Sequence, residues 1–133
     1  MKVEDSIDIA KPQEVVYSIV RDLERAPEWQ PSLESVDVQA GTEVRRVAGR
    51  RQTPKFFILE DDPPRRLAMS SEGGPAKARA TFDLDRAGDG TSVKFSLDVQ
   101  LRGAARFAGP LVKSTAHHEV RSTLEKLKEF AER

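Results

Sequence analysis

Two ionisable side chains stand one helical turn apart in a stretch whose pattern otherwise calls for apolar residues. Lys113 and His117 are spaced i, i+4 within residues 104–133, a segment that reads as one long helix. At about 100° per residue both fall inside the stripe that collects Ala116, Val120, Leu124, Leu127 and Ala131. An imidazole titrates near neutral pH, so an inward His117 would donate a hydrogen bond to a ligand or, in an enzyme, carry a proton. An inward Lys113 would favour a ligand with a carboxylate, enolate or carbonyl oxygen, because an unpaired ammonium in a dry cavity is costly. The plainer alternative puts His117 at a pocket rim, bonded to a backbone carbonyl, and lets Lys113 bury its stem while its head reaches water. His118 lies about 100° around the helix from His117, so the pair is poorly placed to chelate one metal. With no cysteine, no HExxH and no carboxylate–histidine cluster at ligand spacing, neither a metal nor a cofactor is expected.

Other chemistry leaves little trace. There is no nucleophile elbow, Gly-rich phosphate loop or paired-carboxylate signature, and Asp61 and Asp62 are neighbours on a turn rather than convergent. The densest basic cluster, Arg45, Arg46, Arg50 and Arg51, reads as a solvated strand face or a contact for phosphate or an acidic partner. No aromatic residues interleave it, so nucleic acid is not expected. Lys and Arg number 22, as do Asp and Glu, giving zero net charge and no summed field toward nucleic acid or acidic membrane. The 133 residues, 38% hydrophobic and 33% charged, fit one domain with a modest core. Acids at Glu4 and Asp5 occupy the place of a signal peptide's apolar run, and no stretch approaches the ~20 apolar residues of a membrane span. The expectation is a soluble, cytoplasmic protein.

The elements that must position these residues follow from period. Val3, Ile7 and Ile9 alternate with polar neighbours as a half-buried strand, with Asp5 the one misfit on the inner side. Pro12 opens a short helix over residues 12–22, carried by Val16, Ile19, Val20 and Leu23, and a second short helix or turn covers 23–29. Strands follow: Val36 and Val38, a turn at Ala40-Gly41-Thr42, a return strand over 44–50, and another over 56–60 broken by Asp62-Pro63-Pro64. Leu67 and Met69 share a face, as do Ala78, Ala80, Phe82 and Leu84. After the hairpin signal Asp89-Gly90, so do Val93, Phe95, Leu97, Val99 and Leu101. Two short helices after strand one, six or seven antiparallel strands, and one long helix make an α+β fold whose sheet curves around that helix.

In this order the motifs resemble the START-like superfamily (SRPBCC), in particular its polyketide cyclase/dehydrase and lipid-transport group. The likeness rests on Ile7-Asp8-Ile9-Ala10-Lys11-Pro12 with Glu14-Val15-Val16-Tyr17, on Asp22 with Pro27-Glu28-Trp29-Gln30-Pro31, and on the passage from Glu60 through Pro63-Pro64 to Ala68. Gly90-Thr91 and Leu124-Glu125-Lys126-Leu127-Lys128 complete it. The resemblance implies a helix-grip fold, a seven-stranded antiparallel sheet around the last helix with a cavity between them. It fixes no function, since such proteins include lipid carriers, aromatase/cyclases, quinone-binding proteins, hormone binders and ribosome-associated factors. It implies that Trp29 sits at the cavity mouth, as core packing or as a gate whose indole N–H finds a partner. Phe82 and Phe95 would line the sheet side, only one of Phe56 and Phe57 can, and Phe107 would cap the opening. The tight hairpin at Ala40-Gly41-Thr42 departs from the family's commoner pattern.

Three functions fit. The first is a binding module for a hydrophobic small molecule, lipid-like or polycyclic, contacted by Trp29, Phe82, Phe95, Phe107, Lys113, His117 and Val120. The second is an aromatase/cyclase or dehydrase in which His117 shuttles protons and Lys113 stabilises an enolate oxygen. The third is an adaptor whose arginine strand meets an acidic surface.

Overall fold

Alternating apolar residues become strands and the apolar stripe becomes a helix, as their periods dictate. In a computed structural model that describes residues 1–47 and 49–133, the elements run β1 (Lys2–Ile9), α1 (Gln13–Arg21), a 3-10 helix (Leu23–Glu28), β2 (Leu33–Asp37), β3 (Thr42–Val47), β4 (Arg50–Gln52), β5 (Lys55–Asp62), β6 (Arg66–Gly73), β7 (Ala76–Ala87), β8 (Gly90–Leu101), a second 3-10 helix (Gly103–Ala108) and α2 (Gly109–Ala131). One antiparallel sheet in the order β1-β8-β7-β6-β5-β3-β2, with β4 paired to β3, curves around α2. The helix-grip architecture is the one the sequence points to. Bulges between Leu33 and Ser35 and between Ile58 and Glu60 bend the strands far from α2.

The inner face is set by register. Val3, Leu97, Ala80, Met69 and Ile58 form one cross-strand row, and Phe95, Phe82 and Leu67 the next. Against these rows α2 buries Ala116, Val120, Thr123, Leu124, Leu127 and Ala131. Leu124 and Leu127 are fully buried, each contributing about 2 kcal/mol of transfer free energy. The polar flank of α2 covers the free edge of β1. Arg121 Nη1 donates to Asp5 Oδ2 at 3.0 Å, Lys128 Nζ to the Asp8 carbonyl at 2.7 Å, and the Ala10 N–H to Glu132 Oε2 at 2.8 Å. An edge strand that would otherwise invite pairing is thereby capped by side chains.

Several local expectations are corrected. The strand expected over 44–50 ends at Val47 and the chain returns as β4; Ala48, within that span, lies outside the described residues. Val38 falls in the turn after β2 and is exposed. Asp5 is a paired residue rather than a frayed misfit. The Ser6 N–H and then Arg121 hold its carboxyl below the usual carboxylate range. At the β7–β8 hairpin the left-handed residue is Gly88 (φ +60°). Gly90 is needed for a different reason, since a Cβ there would meet the Ile9 carbonyl oxygen at 2.5 Å. No helix among the described residues is long and apolar enough to cross a membrane.

Candidate ligand site

The core between sheet and helix is aromatic at its centre. Phe82 and Phe95 are register partners on β7 and β8 and stack at 4.4 Å with an interplanar angle of 2°. Trp29, delivered by the end of the first 3-10 helix, meets Phe82 edge-on at 5.8 Å. Trp29, Phe82, Phe95 and Val120 are all buried, so four expected contact residues are gathered into one packed cluster. The Trp29 indole Nε1 is buried without a hydrogen-bond partner among the described residues.

Moving along the strands away from this cluster, packing thins. On β7, Ala78 and Ala80 point inward from the middle of the sheet yet are only half-buried, as are Met69, Leu97, Val99 and Leu101 on the neighbouring strands. The cause lies in α2, whose buried residues begin only at Ala116. Beside its first turns a groove of about 860 Å³ runs along the end of β8, lined by Met1, Val99, Leu101, Arg106, Pro110 and Lys113, among others, and not by residues of β6 or β7. Pro110, in the first turn of α2, starts the helix rather than kinking it.

The row that starts at Val99 crosses Ala78 to Ser71 and Phe56, and there the inner face turns polar. The Ser71 hydroxyl donates to Glu43 Oε1 at 2.8 Å, and Arg45 Nε donates to the same oxygen at 2.7 Å. Arg45 also donates to Ser32 Oγ and to Gln30 Oε1, each at 3.0 Å. Ser32 Oγ in turn donates to Glu119 Oε1 on α2 at 2.6 Å. Glu43 is only 5% exposed. A buried charge-assisted network therefore ties β3, β6, the segment after the first 3-10 helix and α2 together at one wall of the hollow. Of the arginine cluster, Arg45 belongs to the interior, while Arg46 and Arg51 both clamp Glu34, at 3.2 and 3.1 Å.

The structure separates the pair that opened the sequence argument. His117 is exposed, on the same flank of α2 as Arg121, which pairs with Asp5. It does not face the core, because α2 lies across β1 and β8 with that flank over the sheet's edge. Lys113 is exposed as well, but at the lip of the groove. Phe107, expected to cap the opening, is 87% exposed. Of Phe56 and Phe57, Phe56 is the buried one.

On the buried face of α1, Tyr17 donates its hydroxyl to Asp61, which also accepts from Arg21 Nε at 3.0 Å. Burial, and then this bond, push the Tyr17 phenol well above its ordinary value of 10.0. Stability drawn from the neutral phenol is complete below pH 10 and is lost as pH rises toward the raised value. Tyr17 is the sole tyrosine, so an absorbance titration isolates it. No phenolate is expected until well beyond pH 10, and Tyr17→Phe should flatten the alkaline fall in stability. Ionisation at the ordinary value would show that the buried contact does not form.

Comparison with known proteins agrees with this geometry. The profile of the family described as polyketide cyclase / dehydrase and lipid transport matches residues 1–132. No curated protein sequence matches the chain at a significant level. Among solved structures, a Thermus thermophilus protein is 23% identical with a TM-score of 0.83, covering 98% of this chain and 97% of its own. A START superfamily protein from Mycobacterium smegmatis is 20% identical with a TM-score of 0.82 over the same shares. An aromatase/cyclase from a Streptomyces species is 17% identical with a TM-score of 0.83, covering 100% of this chain and 94% of its own. These likenesses establish the fold, and the profile spanning nearly every residue establishes the lineage: the chain belongs to the polyketide cyclase/dehydrase and lipid transport family.

Proposed function

We propose that the protein binds a hydrophobic small molecule, lipid-like or polycyclic, against the inner face of β6, β7 and β8 beneath the start of α2. One observation carries this reading. Ala78 and Ala80 lie in the middle of the sheet on its concave side and are only half-buried. A central strand whose inner residues are small and only half-buried leaves room that an apolar guest would fill. In this reading Met69, Leu97, Val99 and Leu101 supply the apolar wall, the cluster of Trp29, Phe82, Phe95 and Val120 closes one end, and Lys113 at the lip pairs with an acidic head group.

Filling the hollow tests the proposal. Ala80→Phe should lower the affinity for an environment-sensitive apolar dye such as anilinonaphthalene sulfonate by at least tenfold, roughly 1.4 kcal/mol, without lowering the melting temperature. In an already packed interior the same change would overpack and cost about 1–3 kcal/mol. Destabilisation with unchanged dye binding would overturn the reading. The aromatase/cyclase reading relies on His117 and Lys113, both of them exposed; the cation at the hollow's wall is instead the Arg45 guanidinium. That group already serves Glu43, Ser32 and Gln30, an arrangement that suits anchoring better than turnover.

A further inference from the structure

The zero net charge of the whole chain conceals a local asymmetry. Residues 99–118 contain Arg102, Arg106, Lys113, His117 and His118 and no acid at all, the nearest being Asp98 before the stretch and Glu119 after it. This is the segment that leaves the sheet, forms the second 3-10 helix and begins α2. Arg102, Arg106 and Lys113 are exposed, line one groove together with Lys2, and form no ion pair among the described residues. The same corner carries the two most exposed large apolar side chains described, Phe107 at 87% and Leu111 at 67%. Each stands four residues from the other and next to groove residues, Arg106 on one side and Pro110 on the other.

We propose that this corner docks on an anionic phospholipid surface, with Phe107 and Leu111 entering the headgroup–acyl boundary and Arg102, Arg106 and Lys113 holding lipid phosphates. Charge complementarity favours that occupant: an uncompensated cationic ring around apolar tips is what an interfacial helix presents. Projecting side chains that form no flat patch need no complementary pocket in a partner, and a fluid layer provides none. The sign and the local density of charge, rather than the sum over the chain, decide attraction within a Debye length. This inference goes beyond the ligand proposal and does not rest on it, since an empty groove would dock equally well.

Co-sedimentation of the full chain with vesicles provides the test. Binding to phosphatidylcholine vesicles that contain phosphatidylglycerol is expected to exceed binding to phosphatidylcholine alone by at least tenfold, and to weaken as salt is raised. Each cation near an anionic surface contributes roughly a fivefold factor in binding. Neutralising all three (Arg102→Gln, Arg106→Gln, Lys113→Gln) should therefore reduce binding on the order of a hundredfold. Phe107→Ser with Leu111→Ser should reduce it roughly tenfold while leaving the salt dependence intact. All these side chains are exposed, and circular dichroism would verify that both variants keep the fold. Failure to bind the anionic vesicles, equal binding to both vesicle types, or indifference to both sets of substitutions would overturn the proposal. So would light scattering that shows Phe107 and Leu111 joining two copies of the chain, with no binding to vesicles.

Discussion

Arg45→Met is expected to cost about 3 kcal/mol of folding stability, measured as a shift of the urea midpoint at constant slope. The number follows from what the substitution strands. Glu43 is 5% exposed and accepts from Arg45 through both oxygens, at 2.7 and 3.3 Å. With the guanidinium gone, the carboxylate retains, among the described residues, the Ser71 hydroxyl alone, and Ser32 and Gln30 lose their donor. An uncompensated buried charge costs about 3–5 kcal/mol. The lower end applies because the Arg45 side chain is 25% exposed and water can reach part of the vacated space. Removing both charges reverses the logic. Glu43→Leu combined with Arg45→Met should return most of the loss, because desolvating two charges offsets much of what their attraction contributes. A single variant that costs less than about 1 kcal/mol, or a double variant no better than the single, would show that the pair does not anchor this wall.

That arginine also marks the limit of what the amino-acid pattern reveals. In the strand Thr42–Val47, Val44 is the only apolar residue before Val47, so alternation places Val44 inward and Arg45 in solvent. The chain does the reverse because Glu43, two residues earlier on the same face, neutralises Arg45, and a compensation between two polar residues has no hydrophobic signature. The clean alternation of β1, β7 and β8, by contrast, carries over into the register almost unaltered, and the stripe from Ala116 to Ala131 becomes the buried face of α2. Lys113 and His117 show a different limit. A helical wheel gives an azimuth but not what lies opposite it, and α2 rests on β1 and β8 with that azimuth over the sheet's edge. Nor does zero net charge reveal a stretch of 20 residues, 99–118, free of acids. The central aromatic cluster was legible because Phe82 and Phe95 share strand parity; that Trp29 leaves its N–H unmet required the packed interior.

Trp29→Ala should be the most damaging single change in the aromatic centre, costing about 4 kcal/mol. Trp29 is 1% exposed, so truncation removes a full aromatic burial, ends the edge-on contact with Phe82, and leaves a void between the first 3-10 helix and the sheet. Trp29→Phe separates packing from polarity. A phenyl ring keeps much of the volume and the contact with Phe82, and it removes a buried indole N–H that has no partner. An unmet buried donor costs about 1–3 kcal/mol. Its loss offsets the smaller ring, and Trp29→Phe should melt within a few degrees of the parent. Ligand retention then discriminates between two roles. If the N–H is held free for a guest's oxygen, Trp29→Phe binds a carbonyl-bearing apolar ligand roughly tenfold more weakly and a pure hydrocarbon equally well. Equal loss for both ligands would make Trp29 a wall of the site. Loss for neither would confine it to the core, where its stacked neighbours already hold it.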